Sequence, residues 1–234
     1  MKSAILATTC FVDRPGLPSG LAERRAANFA RCHGSWARYI DFGFDYFIVA
    51  DDGSDERLLR GLRLDKGLAL QTEVVEAPDG NRTGLGASLN RAIEHMRERK
   101  VDWHFYAHDD WLATETVSLD GPIELLFSRG YGCVRLGPPH PNVRGEFRLS
   151  AHGWYLDCDT GHGGFVYGQR PAIYRNEVMW DIMPPFASYL SPLEVERIYN
   201  DQWCEKNIPT AYWIGPTAWT PLNGPDEELG DWAI

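Results

Sequence analysis

Short apolar runs of strand character alternate with helix-period patterns through the first two-thirds of this 234-residue chain, and few architectures accept that order. Ala4-Ile5-Leu6-Ala7 reads as the first strand. Ala22, Ala26, Phe29, Ala30, His33 and Ala37 then recur on one helical face, with Ser19 as the expected N-cap. Residues 44–50 make the strongest strand pattern and run straight into Asp51-Asp52-Gly53-Ser54. A short Arg/Leu helix precedes a third strand at 68–76, and Leu85, Leu89, Ile93 and Met96 mark the next helix. A fourth strand at 102–108 ends in Asp109-Asp110-Trp111; a helix around 123–127 leads to a fifth strand at 131–136. Strands joined by amphipathic helices imply right-handed βαβ units, hence a mostly parallel central sheet with flanking helices. Both acidic clusters then fall at carboxyl ends of strands, where open α/β sheets bind ligands. After Gly137 the alternation gives way to Gly-, Pro- and aromatic-rich sequence with one clear helix at 192–206, carrying Val195, Ile198, Tyr199 and Gln202 or Trp203 on one side. One α/β domain over 1–234 is expected, divided at 136/137 into a ligand-binding half and a second lobe on the same core.

Composition narrows the functional classes. Hydrophobic residues at 44% and charged residues at 24% describe a globular chain. No apolar run approaches the roughly 20 residues that cross a bilayer. Thr8-Thr9 and Asp13-Arg14-Pro15 interrupt the N-terminal run in a way that fits a buried strand better than a signal peptide. Cys10, Cys32, Cys133, Cys158 and Cys204 are odd in number and contain no C-x-x-C pair, which argues against a disulfide framework or zinc site and for a cytoplasmic setting. The net charge of −10 disfavours bulk binding to nucleic acid. From residue 191 onward eight Asp/Glu face only Arg197 and Lys206.

Three segments carry chemistry. A carboxylate in Asp51-Asp52-Gly53-Ser54 can accept from a base N–H or ribose hydroxyls, while Gly53 permits the turn and Ser54 or Asp55 caps the following helix. The same four residues also suit a plain turn. Asp109 and Asp110 repel each other unless a cation neutralises them, and such hard oxygen ligands suit Mg²⁺ or Mn²⁺ with positions open to phosphates. A capped helix start is the plain alternative there. Between them, small residues in Asn81-Arg82-Thr83-Gly84-Leu85-Gly86 open a helix whose amides and positive end can face an anion, and Arg82 adds a donor fork. Leu89 stands at the third glycine position of a dinucleotide fingerprint, and no P-loop occurs. Of the nine tryptophans, Trp111 adjoins the acidic pair and is the site candidate; Trp154 and Trp180 are expected near the cleft.

In order and spacing, the first strand with Arg14, then Val49-Ala50-Asp51-Asp52-Gly53-Ser54, Asn81-Arg82-Thr83-Gly84 with Leu89-Asn90-Arg91-Ala92-Ile93, and Tyr106-Ala107-His108-Asp109-Asp110 resemble family 2 inverting glycosyltransferases of the GT-A fold across roughly residues 3–136. Residues 168–175 resemble that family's acceptor-side strand. The resemblance implies a hexosyltransferase-type enzyme that moves a sugar from a nucleotide-sugar donor, commonly a UDP-sugar, to a saccharide or other hydroxyl acceptor. It implies a donor site drawn from Thr9, Arg14, Asp51, Asp52, Arg82 and Asp109, with Asp51 on the base and Arg82 on the base or diphosphate. Asp109 and Asp110 stand for its ribose- and metal-binding pair, holding Mn²⁺ or Mg²⁺, and Glu194 or Glu196 for its general base. Those two glutamates lie about 200° apart on a helix, so one of them faces the site. The chain departs from the family at Ala107, where many members carry aspartate, and in lacking an evident C-terminal metal-binding histidine around 213–224. His108, His152 and His162 are the replacements to weigh, and Gly161-His162-Gly163-Gly164 has the composition of an acceptor-side loop. Two other transferase readings stand beside this one: glycosylation of a modified DNA base, ranked lower by the charge, and sugar nucleotidyl transfer, whose Gly- and Lys-rich N-terminal signature is missing. A non-catalytic binding domain is the third class.

Overall fold

Strand β1 (Ser3–Thr9) is buried along its whole length, as a strand at the centre of a sheet covered on both faces must be. It pairs in parallel with β2 (Phe44–Asp51), which pairs in parallel with β3 (Ala69–Val75). On its other side lies parallel β4 (Trp103–Tyr106). The computed structural model describes residues 1–13, 19–62, 67–107, 109–137, 139, 142–160, 171–182, 192–215 and 218–222. Helices α1 (Leu21–Tyr39), α2 (Glu56–Gly61) and α3 (Leu85–Glu98) connect these strands in the expected βαβ order. The start of α1 differs from expectation. Gly20, at φ 79°, occupies the N-cap instead of Ser19, and the loop after β1 supplies the missing acceptor, Asp13 Oδ1, to the amide of Ala22 at 3.0 Å.

Beyond β4 the simple alternation ends. A short strand β5 (Trp111–Ala113), helix α4 (Asp120–Ser128) and strand β6 (Cys133–Arg135) follow. Then come a hairpin of β7 (Gly145–Leu149) and β8 (Trp154–Cys158), strand β9 (Ala172–Arg175), helices α5 (Asn176–Ile182) and α6 (Pro192–Glu205), β10 (Thr210–Ile214) and β11 (Trp219–Pro221). Among the described residues nine strands form one sheet in the order β3-β2-β1-β4-β9-β6-β10-β8-β7, and β5 with β11 forms a separate antiparallel ribbon. Seven of the nine strands point the same way; β8 and β9 run against them. The sheet is therefore mostly parallel, as expected, but antiparallel β9 is inserted between β4 and the strand read at 131–136.

Each face of the sheet carries its own core. Phe29 and Trp36 of α1, Leu125 and Leu126 of α4, and Ala113 and Trp219 of the ribbon cover one face. Leu89, Ile93 and Met96 of α3, Met179 of α5, and Val195, Tyr199 and Trp203 of α6 cover the other. Trp203 is wholly buried, and its indole N–H donates to Thr210 Oγ1 at 2.6 Å, so its burial leaves no polar atom unpaired. Burying one such ring contributes on the order of 2–3 kcal/mol. No helix among the described residues is long and apolar enough to cross a membrane.

Candidate functional site

The first acidic cluster sits at the carboxyl ends of β1 and β2. Asp51 is buried, and its carboxylate accepts from Thr9 Oγ1 at 2.9 Å and from the amides of Gly53 and Ser54, both at 3.0 Å. Thr9 is thus the side chain that orients Asp51. Asp52 is buried too, and receives the amide of Thr83 at 2.6 Å, the Thr83 hydroxyl at 3.0 Å and the amide of Gly84 at 2.9 Å, with Arg82 Nε at 3.6 Å. Asp52 thus ties the loop ahead of α3, through the amides of Thr83 and Gly84, to the end of β2. The two loops touch closely. A Cβ on Gly53, at φ 75°, would stand 2.8 Å from Arg82 N and 2.9 Å from Gly80 O, so both the turn and the contact require glycine. Arg82 remains half-exposed beside this junction. Asp55, of the two capping candidates, is the N-cap of α2.

Arg91, named in the sequence motif without a role, reaches back from α3 to tie the same parts together. Its Nη1 donates to Thr83 Oγ1 at 2.7 Å and its Nη2 to the carbonyl of Asp51 at 3.1 Å. Burial lowers its pKa, and the charges of Asp52 and Asp51 offset part of that effect.

The second cluster follows β4. Asp109 and Asp110 are half-buried in the turn that leads into β5. Two contacts hold that segment against α1: Trp36 Nε1 donates to the carbonyl of Trp111 at 2.8 Å, and Ser35 Oγ accepts from the amide of Ala113 at 2.9 Å. From the other side the amide of Leu222, just after β11, donates to the carbonyl of Asp110 at 2.7 Å. The chain's later part thus clamps the acidic turn. Burial raises the pKa of Cys32 on α1, and the negative charges of Asp109 and Asp110 raise it further.

Tyr106, buried at the end of β4, links this cluster to α6. Burial pushes its phenol up, a hydrogen bond to Thr8 tempers the rise, and the charges of Asp109, Glu196 and Asp110 add to it. Glu196 is the half-buried member of the glutamate pair and lies within electrostatic reach of the strand ends, whereas Glu194 is exposed. Glu196 also acts on Arg135, at the carboxyl end of β6. Burial works against the charge of that guanidinium, but Tyr212, Tyr174, Cys133 and Glu196 outweigh it and raise its pKa. Arg135 stands 5.1 Å over the Tyr212 ring. Sequence reasoning missed Arg135, although a lone arginine closing an apolar strand at its carboxyl end is a visible signal.

Other expected site residues lie elsewhere. Trp111 is half-buried in the acidic turn's extension, but Trp154 lies on the outer hairpin and Trp180 on α5. Because β9 runs antiparallel, α5 begins at the amino ends of the parallel strands, opposite the acidic clusters, where Trp180 meets Arg97. His152 pairs with Glu124 at 3.6 Å. Among the described residues no three His, Cys, Asp or Glu side chains gather as a metal cluster. Asp109 and Asp110 still fit Mg²⁺ or Mn²⁺, which are commonly held by one or two carboxylates with water and substrate phosphates completing the shell. Arg14, His108, His162, the glycines at 161, 163 and 164, and residues 168–170 lie outside the described residues.

No family model matches the chain, and no curated protein matches it. Solved structures do. S. aureus TarS 1-349 superposes with a TM-score of 0.59 at 13% identity, over 94% of this chain and 60% of that one. The fold is GT-A-like. The same TarS form in complex with UDP-GlcNAc gives a TM-score of 0.61 at 14% identity, over 94% of this chain and 58% of that one. A third structure, 4-diphosphocytidyl-2C-methyl-D-erythritol synthase from Anaerococcus prevotii, gives 0.50 at 9% identity, over 98% and 96% of the two chains. The chain spans about 60% of the length of TarS 1-349 and 38% of the longer TarS structure.

Proposed function

We propose that this chain is a glycosyltransferase that moves a sugar, with inversion, from a UDP-sugar to a hydroxyl acceptor, a saccharide first among them. The observation that carries the reading is the meeting of two acidic clusters and Glu196 at one end of the sheet, around Thr8, Thr9 and Tyr106. The fold's likeness to TarS in complex with UDP-GlcNAc supports the donor class. Asp51, oriented by Thr9, offers the base an acceptor, and Arg82 offers the base or diphosphate its donor fork. Asp109 meets the ribose or shares the metal with Asp110. Asp109 and Asp110 would hold Mn²⁺ or Mg²⁺, which would supply positive charge for the departing diphosphate. Glu196 takes the proton of the acceptor hydroxyl as its oxygen forms the new bond to the anomeric carbon. The bond from that carbon to the diphosphate breaks, and UDP leaves with the electron pair. Attack opposite the leaving group inverts the centre.

Calorimetry with UDP and Mn²⁺, followed by a donor screen starting with UDP-GlcNAc, tests the reading. Binding is expected in the wild type and lost in Asp110→Ala; equal affinity in the variant would remove the metal assignment. Glu196→Gln is expected to keep UDP binding and lose at least about 100-fold in turnover, whereas Glu194→Gln keeps both. One observation favours a second reading: the Anaerococcus prevotii synthase shares the fold over nearly its whole length. Pyrophosphate released from an NTP and a sugar phosphate would establish that nucleotidyl chemistry instead.

A further inference from the structure

Among the described residues strand β7 ends the sheet, and only the charges of Glu146 and Arg148 guard its edge. Its five residues, Gly145-Glu146-Phe147-Arg148-Leu149, contain no proline, lysine or bulge, and pair in unbroken register with β8. All five are exposed; Phe147 is 65% and Leu149 58% accessible. Phe147 lies opposite Leu156, and Leu149 opposite Trp154, itself 53% accessible and paired in turn with Ile214 of β10. These side chains share one face, so an apolar strip runs out to the open edge.

The backbone bonds at either end of the hairpin fix which groups point outward. The amide of Asp159 donates to the carbonyl of Arg144, and that of Ser150 to the carbonyl of Gly153, each at 2.9 Å. In an antiparallel pair bonded residues alternate, so 144, 146, 148 and 150 bond inward to β8. Gly145, Phe147 and Leu149 therefore direct their N–H and C=O groups away from the sheet.

We propose that β7 pairs with β7 of a second copy of this chain, antiparallel about a two-fold axis at Phe147, so that one sheet runs through both copies. Backbone and charge together select that register: the outward groups admit a centre on residue 145, 147 or 149, and of these only Phe147 pairs the whole of Gly145–Leu149 with itself. Centring on Phe147 sets Glu146 opposite Arg148 of the second copy, twice by symmetry. Centring on residue 146 or 148 sets like charges against themselves. Centring on Phe147 also places Leu149 over Gly145 of the second copy, which has no side chain to obstruct it. The apolar strips of the two copies then join.

Light scattering during size exclusion at about 50 µM tests this, with a dimer of about 53 kDa expected against 26.5 kDa for one chain. Glu146→Arg puts a second positive charge opposite Arg148 at both symmetric contacts and weakens dimerisation roughly tenfold; adding Arg148→Glu restores it. Thermal melts check that each variant is folded. A short bifunctional thiol reagent is expected to cross-link the Phe147→Cys dimer, because the axis at residue 147 brings the two thiols within its span while holding them too far apart for a relaxed disulfide. A monomeric wild type, a dimer indifferent to Glu146→Arg, or no cross-link in a dimeric Phe147→Cys protein would each overturn the proposal, even if the edge then proved to bind some other protein.

Discussion

His104 sits inside the core with its ring stacked on Tyr174 and its Nδ1 2.5 Å from Asn176 Oδ1. Burial lowers its pKa from 6.5 to about 4, although the Asn176 hydrogen bond works in the opposite direction. The ring is therefore neutral in the folded protein where the unfolded chain would protonate it. Its stabilising contribution is complete above pH 6.5 and is lost as the pH falls toward 4, a change of roughly 3 kcal/mol. Urea midpoints at about pH 7.5, 5.5 and 4.5 should fall more steeply in the wild type than in His104→Gln; identical slopes would show that His104 is not the group responsible. At this scale the sequence was informative wherever a residue acts through its own neighbours in the chain. Asp51 and Gly53 were legible because a strand end and its turn are local. Glu196 was a candidate and Tyr106 stood in a motif, but Arg135 was passed over, and the approach of α6 to the ends of β4 and β6 that makes the three a group leaves no mark on spacing.

The turn after β2 and the start of α3 behave as one element. Asp52, Gly53, Arg82, Thr83 and Arg91 join them through part-buried and buried hydrogen bonds and a backbone contact too close for any side chain. Gly53→Ala forces a Cβ against two backbone atoms at positive φ, and a loss of at least about 2 kcal/mol is expected from strain alone. Denaturation measures that loss. If the turn merely connects β2 to α2, UDP affinity stays unchanged in the folded variant; a fall of tenfold or more is expected, because Asp51 and Arg82 lie on opposite sides of the contact. The helices themselves were readable from period, and 192–206 matches α6 almost to the residue. Their caps were less so. Ser19 was the natural reading for α1, yet Gly20 stands at that N-cap and Asp13 supplies the acceptor from the preceding loop, and a cap supplied across a distance has no sequence signature.

Across the whole molecule the sheet interleaves the two halves of the chain. β9, from the later half, lies between β4 and β6 of the earlier one, and the clamp of Leu222 on Asp110 joins them again. A fragment of residues 1–136 is accordingly expected not to fold, because β6 would have no partner and β4 an open side; circular dichroism and proteolysis of the fragment would reveal a cooperative fold if this is wrong. The parallel half of the topology was legible because each βαβ unit repeats one local pattern. Antiparallel β9 was not, since its pairing is chosen by strands far away in sequence.

That interleaving sets a timetable for a chain made from its N-terminus. Roughly 65 residues separate the end of β4 from the start of β9, and at 5–20 residues per second a ribosome needs about 3 to 13 seconds to cover them. Throughout that interval an apolar strand waits with one edge unpaired, far longer than the microseconds in which hairpins form. The nascent chain is therefore a natural client for a chaperone that shields strand edges, and its yield on expression is expected to depend on that help more than the stability of the finished protein would suggest.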